Sequence, residues 1–192
     1  MNSTLEVIIG LLGGLAVFIF GMNMMSDCLQ KAAGERMKSI LALLTKNPIL
    51  GVLAGALTTA VLQSSSATIA VLQNFAAQPG ADGVSSMLGL AGAIPILLGD
   101  NIGTTITALL ACIGQPKDAK RTAVAHCIFN ISGCLLFIWF VKPYAALIQY
   151  ISPKGPEIEV LSRQIANAHT FFNVTMTLIW MQRREKSHRQ PY

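Results

Sequence analysis

The sequence predicts an all-α integral membrane protein, on three observations. The 192-residue chain is 53% hydrophobic and 12% charged, whereas soluble domains carry about 25% charged residues. One stretch of 69 residues, from Asn47 to Gln115, contains only two charged side chains, Asp82 and Asp100. Polar clusters interrupt its apolar runs twice, at Gln63–Ser66 and at Gly99–Thr105. Non-helical backbone at membrane depth is tolerated only where protein or water surrounds it, so the clusters predict a re-entrant helical hairpin and a broken helix.

A membrane helix is predicted near the N-terminus. A capping-box pattern at Ser3–Glu6 opens an apolar run that continues to Met25. No Lys or Arg precedes Lys31, whereas a secretory signal peptide has a basic first segment, so this run is expected to be retained. The apolar residues between Cys28 and Lys46 share one helical face, which predicts an amphipathic helix at the membrane interface.

The first polar cluster is predicted to form the tip of the hairpin. The runs that flank it, Pro48–Leu62 and Ala67–Ala77, are too short to cross a bilayer core about 30 Å thick, because a helix rises only about 1.5 Å per residue. The second run leads to a turn at Gln78–Gly83. Small residues at every fourth position of the first arm predict close packing against another helix: Gly51, Gly55 and Thr59.

The second cluster is predicted to divide a helix into halves, Ser85–Leu98 and Thr104–Ile113. A basic loop (Lys117–Arg121) and a continuous helix (Thr122–Val141) follow. A polar connection with three prolines (Lys142–Ser162) then leads to a last apolar helix (Gln164–Trp180). Residues 182–192 are predicted to form a basic, disordered tail after a membrane domain that spans residues 1–181.

Both clusters contain residue types that bind small ions. A helix N-terminus presents free N–H groups and a partial positive charge, and each cluster is expected to begin the half-helix that follows it. The half-helices that end before the clusters would offer unpaired carbonyls to Na⁺. No Lys or Arg lies between Asn47 and Gln115, so an anion is expected to be held by dipoles and hydroxyls. The alternative is that these side chains only join neighbouring helices.

The candidate binding residues for substrate and ions come from both clusters: Gln63, Ser64, Ser65, Ser66, Thr68, Asp100, Asn101, Gly103, Thr104 and Thr105. Na⁺ is expected at Gln63, Ser65, Asn101 and Thr104. Two interpretations of Asp100 stay open. An acid at membrane depth costs about 2.5–3.5 kcal/mol, so it is expected either to face a cation, water or a proton, or to be protonated and inert.

Other chemistry finds little support in the sequence. His126 and His169 stand near Asn130 and Asn173, where packing and hydrogen bonding explain them better than proton relay. The four cysteines form no C-x-x-C pair or zinc spacing. We find no nucleophile–base set, paired catalytic carboxylates or phosphate-binding loop with a lysine, so neither an enzyme nor a resident cofactor is predicted. The positive charge is confined to loops, which argues against nucleic acid as a partner.

Gln63–Thr68 followed by Gly99–Thr105 resembles the bacterial and type II sodium-dependent phosphate cotransporters. Ala125–Asn130 resembles the next helix of that family, and the resemblance covers about residues 11–180. It implies two inverted repeats, each of which contributes a Q-S-S-S hairpin and a G-x-N-x-G-T break to one central site. The implied function is symport of sodium and phosphate by a multi-pass protein of the plasma membrane.

The sequence departs from the family pattern in two ways. Gln-Ser-Ser-Ser occurs once, so the chain is expected to hold the first repeat, about residues 1–160, and the opening helix of the second, about residues 161–181. It would then be a half-transporter or a truncated protein, working with a second repeat in trans as a homodimer or with a downstream half. Asp100 stands where the family usually has a small, uncharged residue. The rival functions are a non-transporting membrane assembly subunit and a symporter of another small anion.

The orientation of the N-terminus stays open, because two criteria disagree. The positive-inside rule places residues 31–46, 117–121 and 183–189 in the cytoplasm. An inverted repeat instead requires residues 31–46 and 117–121 to lie on opposite sides of the membrane.

Overall fold

In a computed structural model, the protein is described for residues 4–21, 24, 44, 46–80 and 82–188. These residues form helices joined by turns, so the all-α prediction is confirmed. The helices are α1 (Thr4–Gly21), α2 (Pro48–Leu62), α3 (Ser65–Ala76), α4 (Gly89–Ala111), α5 (Lys117–Phe137), α6 (Val141–Ile151) and α7 (Glu157–His188). The chain divides into two compact units, Met1–Ile40, which contains α1, and Leu41–Tyr192, which contains the other helices.

Among the described residues, three helical stretches are long and apolar enough to cross a membrane. They are α1, α4 and the run from Lys117 to Ile151, in which a 3₁₀ turn at Ile138–Phe140 joins α5 to α6. α2 and α3 have only 15 and 12 residues. The amphipathic helix predicted between Cys28 and Lys46 lies outside the described residues, apart from Leu44 and Lys46.

α2 and α3 form the predicted hairpin, and its tip is defined by two caps. α2 ends at Leu62 because Gln63 adopts a left-handed backbone conformation (φ 51°), with its N–H bonded to the carbonyl of Thr59. The hydroxyl of Ser64 then accepts a hydrogen bond from the N–H of Ala67 and caps the N-terminus of α3. Such caps stabilise a helix by about 1 kcal/mol, so the sequence specifies the position of the tip.

Small residues bring α2 and α4 into backbone contact. A Cβ atom added to Gly51 would lie 2.8 Å from Cβ of Pro95, and one added to Gly55 would lie 1.9 Å from the carbonyl oxygen of Ile96. A Cβ atom added to Gly99 would lie 1.9 Å from a backbone oxygen of α2. Only glycine permits this separation, as in other membrane helices that pack through small residues four apart. Residues later in α2 contact residues later in α4, so the two helices run in the same direction.

The predicted break in α4 is wrong. The helix is continuous from Gly89 to Ala111 and passes through the whole second polar cluster. Gly99 and Gly103 stand one helical turn apart on the side that contacts α2, where a Cβ atom at Gly103 would lie 2.5 Å from the carbonyl oxygen of Ala56. The glycines therefore serve close packing and do not interrupt the helix. Thr104 and Thr105 consequently lie within α4 and do not begin a second half-helix.

α3 returns along α4 in the opposite direction. Thr68, near the tip, lies beside Thr59 of α2 with their Oγ1 atoms 3.0 Å apart. At the other end of α3, the carbonyl of Ala76 accepts a hydrogen bond from the Ser86 hydroxyl, just before α4 begins. The predicted turn between these helices is present, and its Asp82 carboxylate accepts hydrogen bonds from the following backbone. Hydrogen bonds from Ser85, above all, lower the pKa of Asp82 to about 2.

The hairpin geometry places two lysines, Lys46 and Lys117, at opposite ends of α4. α2 starts and α3 ends near the N-terminal end of α4, so Lys46, just before α2, lies at that end. Lys117 follows the C-terminal end of α4. In a membrane that α4 crosses once, these lysines lie on opposite sides. This agrees with the inverted-repeat pattern and not with the positive-inside rule.

α6 occupies the first half of the predicted polar connection. Its Tyr144 and Ile148 side chains are buried, and the Tyr144 ring contacts Phe137 of α5 with the ring centroids 4.8 Å apart. Phe137 also contacts Phe172 of α7 in an edge-to-face arrangement. Apolar packing therefore extends a helix into a segment whose prolines and polar residues predict a loop.

α7 is longer than predicted at both ends. It begins at Glu157, whose carboxylate accepts a hydrogen bond from the N–H of Ser86 at 3.1 Å. It ends at His188, within the segment predicted to be a disordered tail. Residues 182–188 contain no Gly or Pro that would end a helix; residues 189–192 lie outside the described part of the chain.

We expect the substitution Gly55→Ala to lower the free energy of unfolding by about 1–3 kcal/mol, because the added methyl group meets backbone that no rotamer change can move aside. Reversible unfolding in mixed micelles measures this difference. Val61→Ala is the control on the same helix, since Val61 is 81% exposed and changes at such positions usually stay within about 0.5 kcal/mol. Equal stability of the two variants would contradict the close approach of α2 and α4.

Candidate functional site

A buried polar cluster lies at the middle of α4, where α2, α3 and α4 meet. Asp100 is 0% exposed, and Thr59 and Thr68 are also buried. The Thr59 hydroxyl donates a hydrogen bond to Oδ1 of Asp100 at 2.6 Å, a distance typical of a hydroxyl bonded to a carboxylate. Thr68 donates to the carbonyl of Ser64 at 3.2 Å. Oxygen contacts therefore connect the carboxylate of α4 to the cap at the hairpin tip.

The sequence places each member of this cluster by a local rule. Thr59 continues the series of small residues on α2 that begins with Gly51 and Gly55, so it faces α4 directly. Thr68 lies one turn into α3, as far beyond the tip as Thr59 lies before it. A tight hairpin therefore brings the two threonines together, and close helix packing brings Asp100 to them.

The second oxygen of Asp100 lies next to α7. Oδ2 is buried and has no hydrogen-bond partner. Its nearest basic group is Nε2 of His169, at 3.9 Å, which is too far for a hydrogen bond. The His169 side chain is 31% exposed while that of Asp100 is fully enclosed, so His169 lies between the carboxylate and the surface.

The hairpin tip presents donors for an anion. Ser64 is the N-cap residue, and Ser65 and Ser66 are the first two residues of α3. The N–H groups at these first positions have no carbonyl partner within a helix, and the hydroxyls of both serines stand beside them. Ser65 is half-buried, whereas Gln63 and Ser66 are exposed. The tip is therefore an accessible helix N-terminus lined by hydroxyl groups.

The polar side chains of α4 present acceptors instead. Asn101 donates its amide N–H to the Leu97 carbonyl at 2.9 Å, and Thr104 donates its hydroxyl to the Asp100 carbonyl at 3.0 Å. Thr105 bonds in the same way to the carbonyl of Ile102. These donors are used within α4, but the side-chain oxygens keep free lone pairs. Such a face suits a cation better than an anion.

The structure therefore brings together only part of the predicted site. Thr68 and Asp100 share one cluster, and Gln63, Ser64, Ser65 and Ser66 form the tip. No hydrogen bond within the described residues joins the tip to Asn101, Thr104 or Thr105, and Gly103 serves packing. The roles of these residues in binding substrate and ions stay predictions.

Sequence reasoning missed two members of the cluster. The sequence predicts Thr59 as a small packing residue, and it favours packing and hydrogen bonding over proton relay for His169. The position of Thr59 has a sequence signal, because a hairpin centred on Gln63 and Ser64 must bring it near Thr68. The approach of His169 has none, since it depends on how α7 packs beside α4.

The fold and the cluster define a helical membrane protein whose spans enclose polar, ion-binding residue types. A family model described as Na⁺/Pi-cotransporter matches residues 17–152, more than half of the chain. The chain therefore belongs to the Na⁺/Pi-cotransporter family. The match includes the hairpin, α4, α5 and α6, and it ends before α7.

Several relatives align with part of the chain. "Uncharacterized protein YqeW" of Bacillus subtilis is 33% identical over 129 residues, which are 67% of this chain and 38% of the relative. The human sodium-dependent phosphate transport protein 2C is 44% identical over 98 residues, 49% of this chain and 15% of the relative. The rat protein 2A is 29% identical over 136 residues, 67% of this chain and 20% of the relative. The chain thus covers well under two thirds of each relative, and no solved structure gives a significant match.

We expect Thr59→Val to destabilise the protein by about 1–3 kcal/mol, because it leaves a buried carboxylate oxygen without its donor. Thr58→Val is the matched control, since Thr58 is exposed and its hydroxyl bonds only to Ala54 of its own helix. Thermal unfolding of both variants in the same detergent measures the difference. If Thr58→Val proves as harmful as Thr59→Val, the hydrogen bond to Asp100 is not the cause.

Proposed function

We propose that this chain takes part in sodium-coupled phosphate symport across the plasma membrane, as a multi-pass protein that supplies one half of the transport site. Membership of the Na⁺/Pi-cotransporter family supports the proposal, and so does the similarity to the human sodium-dependent phosphate transport protein 2C. The observation that carries it is the hairpin tip, where a capped helix N-terminus with adjacent hydroxyls lies beside a membrane-spanning helix.

The anion is proposed to bind at the tip. The N–H groups of Ser65 and Ser66 lie at the positive end of the α3 dipole, the usual site for phosphate on a helix. Their hydroxyls add two donors, and the exposed amide of Gln63 adds a third. Since no Lys or Arg lies between Asn47 and Gln115, the phosphate charge must be compensated in another way.

Na⁺ is proposed to supply that compensation. The oxygens of Asn101 and Thr104 keep free lone pairs, and Gln63 and Ser65 offer further oxygens at the tip. A cation bound there stabilises a neighbouring anion, and the anion stabilises the cation, because each reduces the cost of holding the other away from water. Mutual stabilisation of this kind couples phosphate transport to sodium, since neither ion binds well alone.

The other half of the site is proposed to come from a second repeat in trans. One tip encloses an ion on one side only, whereas a buried charge needs partners all around it. We propose that α7, which lies beyond the family match, is the opening helix of that repeat. A homodimer with antiparallel protomers, or a partner that carries the second hairpin, would complete the site, and the two repeats would then move against each other around it.

The substitutions Ser65→Ala and Ser66→Ala are expected to abolish sodium-dependent phosphate uptake, because each removes a hydroxyl at the anion site. Uptake of radiolabelled phosphate into proteoliposomes, with an inward Na⁺ gradient and with choline as the control cation, measures this. Ser132→Ala is the matched control, since the Ser132 hydroxyl only bonds to Phe129 of its own helix.

The same assay separates the rival functions. Uptake equal to wild type in both tip variants would remove the tip from the site. Absence of flux at every protein density, both for the chain alone and together with a partner that carries the second hairpin, would favour a non-transporting assembly subunit. Stronger inhibition by sulfate or a small carboxylate than by unlabelled phosphate would identify a symporter of another anion.

A strictly monomeric chain, with one protein molecule per nanodisc or vesicle, is expected to transport no phosphate. In a variant whose four native cysteines are replaced by alanine, Ser65→Cys is expected to form crosslinks between protomers, because two tips must meet at one site. Crosslinking in membranes followed by gel electrophoresis tests this, with Ser132→Cys as the control position. Transport by the isolated monomer would contradict the half-site proposal.

A further inference from the structure

The buried carboxylate of Asp100 lacks a partner for one of its oxygens. Oδ1 accepts a hydrogen bond from Thr59, but Oδ2 is enclosed by protein and has none. Among the side chains that the structure describes, no other buried nitrogen or oxygen is left in this state. A buried polar atom without a partner is costly, and a charged one more so, which points to a ligand at Oδ2.

The helices around Asp100 do not supply a fixed positive charge. α2 and α3 contain no ionisable side chain, and Asp100 is the only one in α4. On α7, Glu157 lies at the far end of the cluster beside Ser86, and Arg163 is exposed. Within the described residues, His169 is the one basic side chain within 4.0 Å of the carboxylate. The described helices therefore place no permanent positive charge opposite Oδ2, where a carboxylate would be stabilised by one.

We propose that Asp100 binds a monovalent cation, Na⁺ in the transport cycle, through Oδ2 and between α4 and α7. This inference rests on the proposed function for the identity of the ion, and it adds a cation site separate from the one at Gln63, Ser65, Asn101 and Thr104. The carboxylate is the anchoring ligand. His169 borders the site and is its contact on α7.

The geometry and charge of the site select the class of ion. Ca²⁺, which is about as large as Na⁺, takes its oxygen ligands at about 2.3–2.6 Å. The separation of 3.9 Å between Oδ2 and Nε2 lets such an ion, placed off the line that joins them, contact both atoms. One carboxylate neutralises one positive charge, whereas a divalent ion would leave an uncompensated charge among apolar side chains. No group of three His, Cys, Asp or Glu side chains placed to hold a metal ion exists in the described residues.

Occupation of this site would connect α7 to the hairpin. The ion would contact Asp100 on α4 and His169 on α7, while Thr59 holds the other carboxylate oxygen from α2. Because the His169 side chain is partly exposed and Asp100 is not, the ion is expected to enter past the imidazole. α7 would then be drawn towards α4 when the cation is bound and released when it leaves.

Equilibrium binding of ²²Na⁺ to the purified chain in detergent, without phosphate, tests the proposal. We expect Asp100→Asn to weaken binding by about tenfold or more, because affinity for a hard cation follows the charge of its ligands. His169→Gln is expected to cause a smaller loss. Asp118→Asn is the matched control, since Asp118 is exposed and pairs only with Arg121. Binding to Asp100→Asn as tight as to wild type would overturn the proposal.

A second measurement on the wild-type chain does not depend on whether Asp100→Asn folds. A hydrophobic carbodiimide modifies buried carboxyl groups, and mass spectrometry locates the adduct. Na⁺ is expected to protect Asp100 against modification where choline does not, and to leave Glu157 unaffected. Equal modification of Asp100 in Na⁺ and choline would overturn the cation site. Since neither assay contains phosphate, the two proposals can fail separately. Na⁺ binding that requires Asp100, in a chain that carries no phosphate even when a second repeat is supplied in trans, would refute the proposed function and leave this site standing.

Discussion

The contact between the backbones of α2 and α4 is the constraint on which the rest of the second unit depends. Gly55 and Gly99 allow each helix to approach a carbonyl of the other, at positions where any side chain would overlap with backbone. Lipid tails are as apolar as leucine, so membrane helices associate through such close packing and not through hydrophobic burial. The same contact brings Thr59 onto Asp100. The polar cluster therefore depends on the close packing of the two helices, and a side chain at either glycine would disturb both.

The polar cluster connects two parts of the proposed site, one suited to an anion and the other to a cation. Oxygen contacts lead from Asp100 through Thr59 and Thr68 to the carbonyl of Ser64, the residue that caps α3. Three oxygen contacts thus lie between the Asp100 carboxylate and the hairpin tip. At the tip the backbone offers donors, whereas on α4 the side chains offer acceptors. Anion and cation are expected to occupy neighbouring positions for this reason.

Much of the fold follows from the sequence, and the failures have a common physical origin. The hairpin was predictable because two apolar runs too short to cross a bilayer flank residues that cap helices. The small residues of α2 correctly predict tight packing, yet Gly99 and Gly103, with the same spacing, were interpreted as a break. A glycine permits both outcomes, and only the partner helix decides between them. The position of His169 next to Asp100 cannot be predicted from the sequence, since it depends on the packing of a helix far along the chain.

The charge distribution between Asn47 and Gln115 explains why, in the proposed symport, phosphate and sodium would cross the membrane together. Without Lys or Arg between Asn47 and Gln115, an anion that entered alone would be held by partial charges only, at a depth where an uncompensated charge is costly. An ionised Asp100 would have the same sign as the anion and would make its entry harder still. Under the proposed symport, cations would therefore bind first or at the same time. Under that proposal, a buried acid in this position would strengthen the dependence on sodium, because an ionised carboxylate requires a cation whether or not phosphate is present.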